Sequence, residues 1–504
     1  MNEDLLSRAR EAAARSTAPT DPDWPVFHVA PPVGRLNDPN GLLVDGDTFH
    51  VFYQYTPEHP RKLVYWGHAT STDLVHWNHH DPAILPDCHQ DRNGAYSGTA
   101  LATEDGVELW YTGNYKDPDT GQREATQCVV TTRDLVHFDK LRTPVVTAQP
   151  EGYTAHFRDP QVWLDPDSPV DAPSWRMLLG AQREDLTGAA LLYRSEDRRS
   201  WRLEGELTFP DAGGAFDSFG YMWECPNLVR MRDEATGRTV DVLIFCPQGI
   251  APQREGFENV FPCVYVVGHL EGTRFLGADG TYEELDRGFE FYAPQVFAHR
   301  AHSWGDVDGA PAPLLIGWAG NAGEDDQPSM ASGGWVHALT TPRELHVVGG
   351  VLHQRPHLPG LPLQGAAVEG PEALGGEGAS MPVRALEGAR AWRVRLHCRF
   401  EGAAELVMGV GGDSGLEIRL SADRLQVDRS GTRYPHGGVR TVSLDPGEAE
   451  WVEIVHDRSI TEVFLGNGRR VFTLRSFLEG TGSGIDLRSF GAVGVDRVEV
   501  ARLD

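Results

Sequence analysis

The chain has 504 residues, 40% of them apolar and 23% charged, a composition that excludes wholesale disorder and supplies a large core. Its 45 Lys and Arg against 73 Asp and Glu leave a formal net charge of −28, which sets nucleic acid and anionic membranes aside as partners. The 56 glycines and 34 prolines point to many turns, and no apolar run approaches the roughly 20 residues a membrane-spanning helix needs.

Residues 1–21 read as an N-terminal extension with a short polar helix over 2–15. Its opening, Met1-Asn2-Glu3-Asp4, carries acid where an export signal carries positive charge, so a cytoplasmic location is expected. The six cysteines, Cys88, Cys128, Cys225, Cys246, Cys263 and Cys398, contain no CxxC pair. They indicate neither a zinc site nor a dithiol motif, and free thiols are expected.

From residue 22 the sequence repeats. Ser71-Thr72-Asp73-Leu74-Val75-His76-Trp77 returns as Thr131-Thr132-Arg133-Asp134-Leu135-Val136-His137-Phe138, and more weakly at Ser195–Trp201 and Glu271–Phe275. A second series keeps step with it, beginning near Asp38, Ser97, Asp159, Glu224 and Ala293. Each member is a turn, an apolar strand, a second turn and another strand, with Asp45-Gly46 and Asp105-Gly106 as hairpin signals in the first two. Five copies of an all-β unit that cannot bury both faces alone predict a five-bladed β-propeller over residues 22–357.

After residue 357 the texture changes. Residues 360–380 are rich in Gly, Pro, Ala and Glu and read as a connection. Period-two alternation at Trp392–Cys398, Glu417–Leu420, Trp451–His456 and Glu462–Leu465 then predicts an antiparallel β-sandwich, so that 358–504 is linker plus C-terminal domain. Its expected job is to cover one side of the propeller, with a homodimer compatible with it. The fold class is all-β.

The first strands of propeller blades line a channel, so Asp38, Asp159 and Glu224 are expected to converge at one end, at one repeat position. Mutual repulsion makes such a gathering of carboxyl groups a functional signal. Two carboxyl groups about 5 Å apart suit retaining glycoside hydrolysis, one attacking the anomeric carbon and the other serving as acid and then base. Asn37 and Asn40 flank Asp38 as donors. Gln54, Ser97 and Arg158 offer hydrogen bonds, and Trp66, Trp163, Trp223 and Trp318 offer flat faces, of which at most two are expected at a ligand.

Arg35-Leu36-Asn37-Asp38-Pro39-Asn40-Gly41 resembles the WMNDPNG motif of glycoside hydrolase family 32, Phe157-Arg158-Asp159-Pro160 its RDP motif, and Trp223-Glu224-Cys225-Pro226 its EC motif. The resemblance extends to Tyr53-Gln54-Tyr55, Trp66-Gly67-His68, Tyr96-Ser97-Gly98, Tyr111–Asn114 and Phe291–Gln295, and in the tail to Asp457-Arg458-Ser459 and Glu462-Val463-Phe464. Residues 25–41 look most like the bacterial sucrose-6-phosphate hydrolase (β-fructofuranosidase, invertase) branch. The resemblance implies a propeller plus sandwich, no metal or organic cofactor, and a small sugar as the partner. It makes Asp38 the nucleophile toward a β-fructofuranosyl unit, Glu224 the acid and base, and Asp159 the residue that holds the fructose hydroxyls. Asn37, Gln54, Trp66, Ser97 and Arg158 would bind the sugar. The implied reaction releases fructose from sucrose, sucrose 6-phosphate or short fructans; alternatives on the same scaffold are fructosyl transfer and non-catalytic sugar binding.

Three positions depart from the family pattern. Arg35 replaces Trp, and is expected either to steady Asp38, to meet a substrate phosphate, or to pair with a surface acid. Gln161 replaces Lys, and Asn227 replaces Asp; the latter suggests that Glu224 titrates lower than usual and that Asn227→Asp raises the basic limb of the pH–rate profile. Arg61 and Lys62, close before Trp66, are candidates for a phosphate at the pocket rim.

Overall fold

The computed structural model describes residues 2–250, 255–305, 307, 309–366, 379–412, 415–480 and 482–503. The N-terminal helix spans Glu3–Ala14; Asn2 caps it by accepting from Asp4 N at 3.1 Å. It buries Leu5 and Ala9, and Arg8 and Arg10 pair with Glu58 and Asp81, each at 2.6 Å, so the helix lies packed against the first sheet.

The described residues of 34–356 form five sheets built as successive meanders, antiparallel apart from two short pairings in the first sheet. Their first strands are Gly34–Asp45, Ala100–Thr103, Tyr153–Leu164, Met222–Arg232 and Tyr292–Val296. Two short parallel pairings join the end of this region to its start: Leu43 and Val44 pair with Ala298 and His299, and Gly34 and Arg35 pair with Trp335 and Val336.

The repeated motif is a capped turn. Ser71 Oγ accepts from Leu74 N at 2.8 Å, Asp73 Oδ1 accepts from Val75 N and His76 N at 3.0 and 2.8 Å, and Asp73 Oδ2 faces His76 Nδ1 at 2.7 Å. Thr132, Asp134 and His137 repeat the pattern, and Ser195, Asp197 and Ser200 repeat it with a hydroxyl in place of the imidazole. The residue after each Asp is left-handed, at φ 60°, 56° and 61° for Leu74, Leu135 and Arg198, and the side-chain bonds offset that strain. At Glu271–Arg274 the motif is reduced to a plain hairpin on Gly272.

Two six-stranded antiparallel sheets follow, containing Ala391–Phe400, Leu416–Ser421, Trp451–Asp457 and Ile460–Leu465. Of the connection expected over 360–380, Gln364–Ala366 and Ala379–Pro382 are strands edging these sheets, and 367–378 lie outside the described residues. The tail has its own apolar core, with Trp392, Leu406, Ile418, Ile454 and Phe472 at its centre.

The seam between tail and front is apolar and charged together. Phe27, Val75, Leu358, Val455 and Phe464 pack across it. Asp457 accepts from the backbone of Val26, Phe27 and His28 at 2.7, 2.8 and 3.0 Å. The His28 ring spans Asp457 Oδ2 at 2.9 Å and Glu462 Oε1 at 3.1 Å. Glu462 also takes Thr341 and Arg343, and Arg343 reaches Asp286 at 3.0 Å. All four charged side chains and His28 are fully buried, and each charge finds both an opposite charge and hydrogen bonds, the condition under which burial is tolerated. Among the described residues no helix is long and apolar enough to cross a membrane.

Candidate active site

In four of the first strands a residue precedes proline: Asp38-Pro39, Asp159-Pro160, Cys225-Pro226 and Ala293-Pro294. Asp159, Cys225 and Ala293 are left-handed at φ 66°, 47° and 47°, and with the following proline they form bulges opposite Leu179, Phe245 and Gly317. In a plain strand successive side chains face opposite ways; a bulge breaks that alternation and lets two consecutive residues serve one site. The backbone strain therefore sits where polar groups are gathered.

This register corrects the expectation of three acids at one repeat position. Cys225, not Glu224, stands at the place of Asp38 and Asp159. Glu224 stands one residue earlier, where the other strands carry Asn37, Arg158 and Tyr292. The three carboxyl groups still meet. Cys225 N donates to Asp159 Oδ2 at 2.9 Å, and Cys225 Sγ lies 3.6 Å from that oxygen and 4.0 Å from Asp38 Oδ2. Both aspartates thus rest on the residue next to Glu224.

Each carboxyl has its own surroundings. Asp38 Oδ2 accepts from Ser97 Oγ and from Gln54 Nε2, the latter at 3.1 Å, and Oδ1 faces Asn37 Nδ2 at 3.4 Å. Burial pushes its pKa up to about 6, with the Glu224 charge adding to the rise and the Ser97 and Asn37 donors opposing it. Asp159 is also raised, by burial first and by Glu224 and Asp38, against the pull of Arg158. Its backbone N donates to Thr112 Oγ1 at 3.0 Å. Glu224 Oε1 accepts from Arg158 Nε and Nη2 at 2.8 and 2.6 Å, and Oε2 accepts from Gln248 and Tyr292 at 2.7 and 2.6 Å. Burial holds His156, 3.1 Å from Arg158 Nη1, at a pKa of about 4, so it faces the guanidinium as a neutral acceptor.

Asp38, Asp159, Glu224, Asn37, Gln54, Ser97 and Arg158 therefore share one hydrogen-bonded site. Trp66 does not offer it a face. It is wholly buried against Leu43, Phe52 and Leu109, with its indole N–H donating to Tyr96 O at 3.0 Å. Trp163, Trp223 and Trp318 are buried as well, because indoles on inner strands fill the space between sheets. Sequence reasoning missed Tyr292 and Gln248 as partners of Glu224. The signal for Tyr292 was present: it is the residue before the pre-proline position, like Asn37, Arg158 and Glu224.

Arg35 pairs with Asp325 at 2.7 Å and also bonds Asn37, so it serves both an acid and the surroundings of Asp38. Gln161 and Asn227 tie neighbouring sheets. Gln161 exchanges two bonds with Leu228, at 2.6 and 3.0 Å. Asn227 accepts from Val296 N at 3.2 Å and donates to Cys225 O and Pro294 O at 3.1 and 3.4 Å. Asn227 is 1% exposed and spends its amide on backbone, so the expected route from this position to the titration of Glu224 has no contact behind it. Arg61 is exposed and pairs with Glu58 at 3.2 Å; Lys62 is exposed.

Residues 28–356 match the family described as Glycosyl hydrolases family 32 N-terminal domain. The chain is 38% identical over 467 residues to the sucrose-6-phosphate hydrolase of Klebsiella pneumoniae, covering 91% of this chain and 89% of that one. It is 34% identical over 492 residues to the raffinose invertase of Escherichia coli, covering 94% and 93%. Among solved structures it superposes on the GH32 beta-fructofuranosidase of Bombyx mori with a TM-score of 0.78 at 27% identity, covering 100% of this chain and 99% of that one. The sucrose-6-phosphate hydrolase from Lactobacillus gasseri gives 0.77 at 27% identity, covering 100% and 97%.

Proposed function

The chain belongs to glycoside hydrolase family 32, and from that premise we propose that it hydrolyses the β-fructofuranosyl bond of sucrose and sucrose 6-phosphate with retention of configuration. The observation that carries the mechanism is the meeting of Asp38, Asp159 and Glu224 around Cys225.

Asp38, as the carboxylate, attacks C2 of the fructosyl unit while Glu224, protonated in the substrate complex, gives its proton to the departing glycosidic oxygen. The C2–O bond breaks, an Asp38–C2 ester forms, and glucose or glucose 6-phosphate leaves. Water then attacks C2, Glu224 takes the water proton, and fructose is released with Asp38 again a carboxylate. Asp159 holds fructose hydroxyls as positive charge develops on the ring, and Arg158 holds Glu224.

We read the five sheets as propeller blades spanning 22–357, followed by a sandwich domain in 358–504. The parallel pairings that join residues 298–299 and 335–336 to the first strand support a closed ring, and the separate tail core supports the boundary. Six free cysteines, five of them buried, fit a reducing cytoplasm. A homodimer is compatible with this fold, and light scattering on the purified protein reads that assembly.

The test is product analysis. Incubation with sucrose and with sucrose 6-phosphate should release fructose as the β-anomer before mutarotation, followed by NMR. Asp38→Asn should abolish release while a sugar still binds. Release of the α-anomer first, or full activity in Asp38→Asn, would sink the mechanism.

A further inference from the structure

Arg35 is held at two points. Its Nε donates to Asp325 Oδ1 and its Nη1 to Asn37 Oδ1, each at 2.7 Å. The second bond fixes the amide of Asn37, since its oxygen must face the cation. Asn37 Nδ2 then donates to Gln54 Oε1 and faces Asp38. With its oxygen taken, Gln54 turns Nε2 to Ser97 Oγ at 2.6 Å and to Asp38 Oδ2 at 3.1 Å. Ser97, accepting from Gln54, gives its one hydroxyl proton to Asp38 Oδ2. Every link donates in one direction, from guanidinium to carboxylate, so each polarises the next.

The anchor is itself braced. His337 Nε2 donates to Asp325 at 3.2 Å, its Nδ1 accepts from Gln327 at 3.2 Å, and Gln327 Oε1 accepts from Arg475 of the tail at 2.9 Å. The titratable groups facing Asp38 are Glu224 and Cys225 on the Met222–Arg232 strand and Asp159 on Tyr153–Leu164, with Arg35 as the cation from its own strand. His59 faces the pair of Arg35 and Asp325, with Lys62 near it.

We propose that Arg35, anchored by Asp325, is the positioning residue of Asp38: it sets the direction of the Asn37–Gln54–Ser97 chain so that all three donors point at the nucleophile. The inference rests on the reading of Asp38 as nucleophile. A neutral side chain at position 35 lets both amides turn over together, and Asp38 then meets carbonyl oxygens instead of N–H groups. The charge that favours the carboxylate is lost as well.

The experiment is the pH profile of kcat and kcat/KM on sucrose for wild type, Arg35→Gln, Arg35→Lys and Asp325→Asn, with Tm measured for each. Arg35→Gln should lower kcat about 10- to 100-fold with a smaller change in KM, the scale expected when a reacting group loses its alignment. Its acid limb should move to higher pH. Arg35→Lys keeps the charge without the fork, so its limb should stay near wild type while kcat recovers only in part. Asp325→Asn leaves the Arg35 charge in place and should lower kcat without raising the limb. An Arg35→Gln enzyme with wild-type kcat and limb overturns the inference, even if its Tm falls, because Arg35 is then a structural tie alone. If Arg35→Gln does not fold, a wild-type kcat in Asp325→Asn overturns it. A wild type that releases no fructose from either substrate removes the functional reading and this inference together, an outcome distinct from both.

Discussion

Arg158 lays two nitrogens on one oxygen of Glu224, at 2.8 and 2.6 Å, and leaves the other oxygen to Tyr292 and Gln248. The division gives the two oxygens different duties. Oε1 is pinned by the fork, while Oε2 bears only neutral donors, and under the proposed mechanism it is the oxygen that faces the glycosidic oxygen.

The first expected outcome concerns that carboxyl. Glu224→Gln should lower kcat on sucrose by about 10²- to 10⁴-fold, the usual range for a lost general acid. An aryl β-fructofuranoside, whose leaving group needs little protonation, should show a much smaller fall in its first step. Equal losses on the two substrates would remove Glu224 from the acid role.

A second concerns Asp38 and pH. Its folded pKa of about 6 lies above the ordinary aspartate value of about 3.9, so the folded state binds the proton more tightly than the unfolded state. The stability this provides is complete below about pH 4 and is lost as pH rises through about 6. Above that, the ionised carboxylate costs stability. Asp38→Asn should therefore raise Tm over wild type at pH 8, by a margin that narrows at pH 4.5. Calorimetry giving the same margin at both pH values would contradict the burial argument. If Asp38 is the nucleophile, the acid limb of kcat/KM should follow its ionisation and lie no higher than about pH 6, because a protonated Glu224 withdraws the charge that adds to the rise.

The seam yields a third. His28 is raised by its bonds to Asp457 and Glu462 against the cost of burial, while Asp457 is depressed by His28 and its backbone donors and Glu462 is held at about 2 by Arg343 and His28. The carboxylates contribute above their unfolded values near 4 and lose that contribution as pH falls through their depressed ones. His28 contributes fully below about 6.5 and loses that contribution as pH rises through its raised value. Stability from this cluster is thus greatest between about pH 4 and 6.5. His28→Ala leaves two buried carboxylates short of a partner and should cost about 3–5 kcal/mol in urea denaturation at pH 6. A loss under 1 kcal/mol would show that water or rearrangement fills the gap.

A fourth concerns Asn227. Replacement by Asp turns a donor into an acceptor facing Cys225 O and Pro294 O, and should destabilise the fold by about 1–3 kcal/mol. Thermal melts read this directly. A variant as stable as wild type with a raised basic limb would restore the electrostatic role expected from sequence.

The repeat was legible because its turn is written in local chemistry: Ser71 and Asp73 cap their own loop, and Thr132 with Asp134 does so again. The acids were legible as a group, but not their register. Pro226 marks Cys225 as the partner of Asp38 and Asp159, yet a bulge shifts side-chain direction in a way that spacing alone does not record. Trp66 was misplaced because a large aromatic on an inner strand suits a sugar face and a core equally well before burial is known. His28, Asp457 and Glu462 all lie in family-like segments, yet nothing in the sequence joined them: His28 is more than 400 residues from the two acids, and only the docking of the tail brings them together.

The first strand borrows neighbours from residues 298–299 and 335–336, and this orders events during synthesis. A nascent chain leaving the ribosome can assemble each hairpin meander as it emerges, but the inner edge of the earliest sheet stays unzipped until about 250 to 300 residues beyond its first strand have been translated. Open edges recruit other strands. Polypeptides cut short before residue 298 should therefore be chaperone clients and aggregate, whereas loss of material beyond the latch would spare that particular edge.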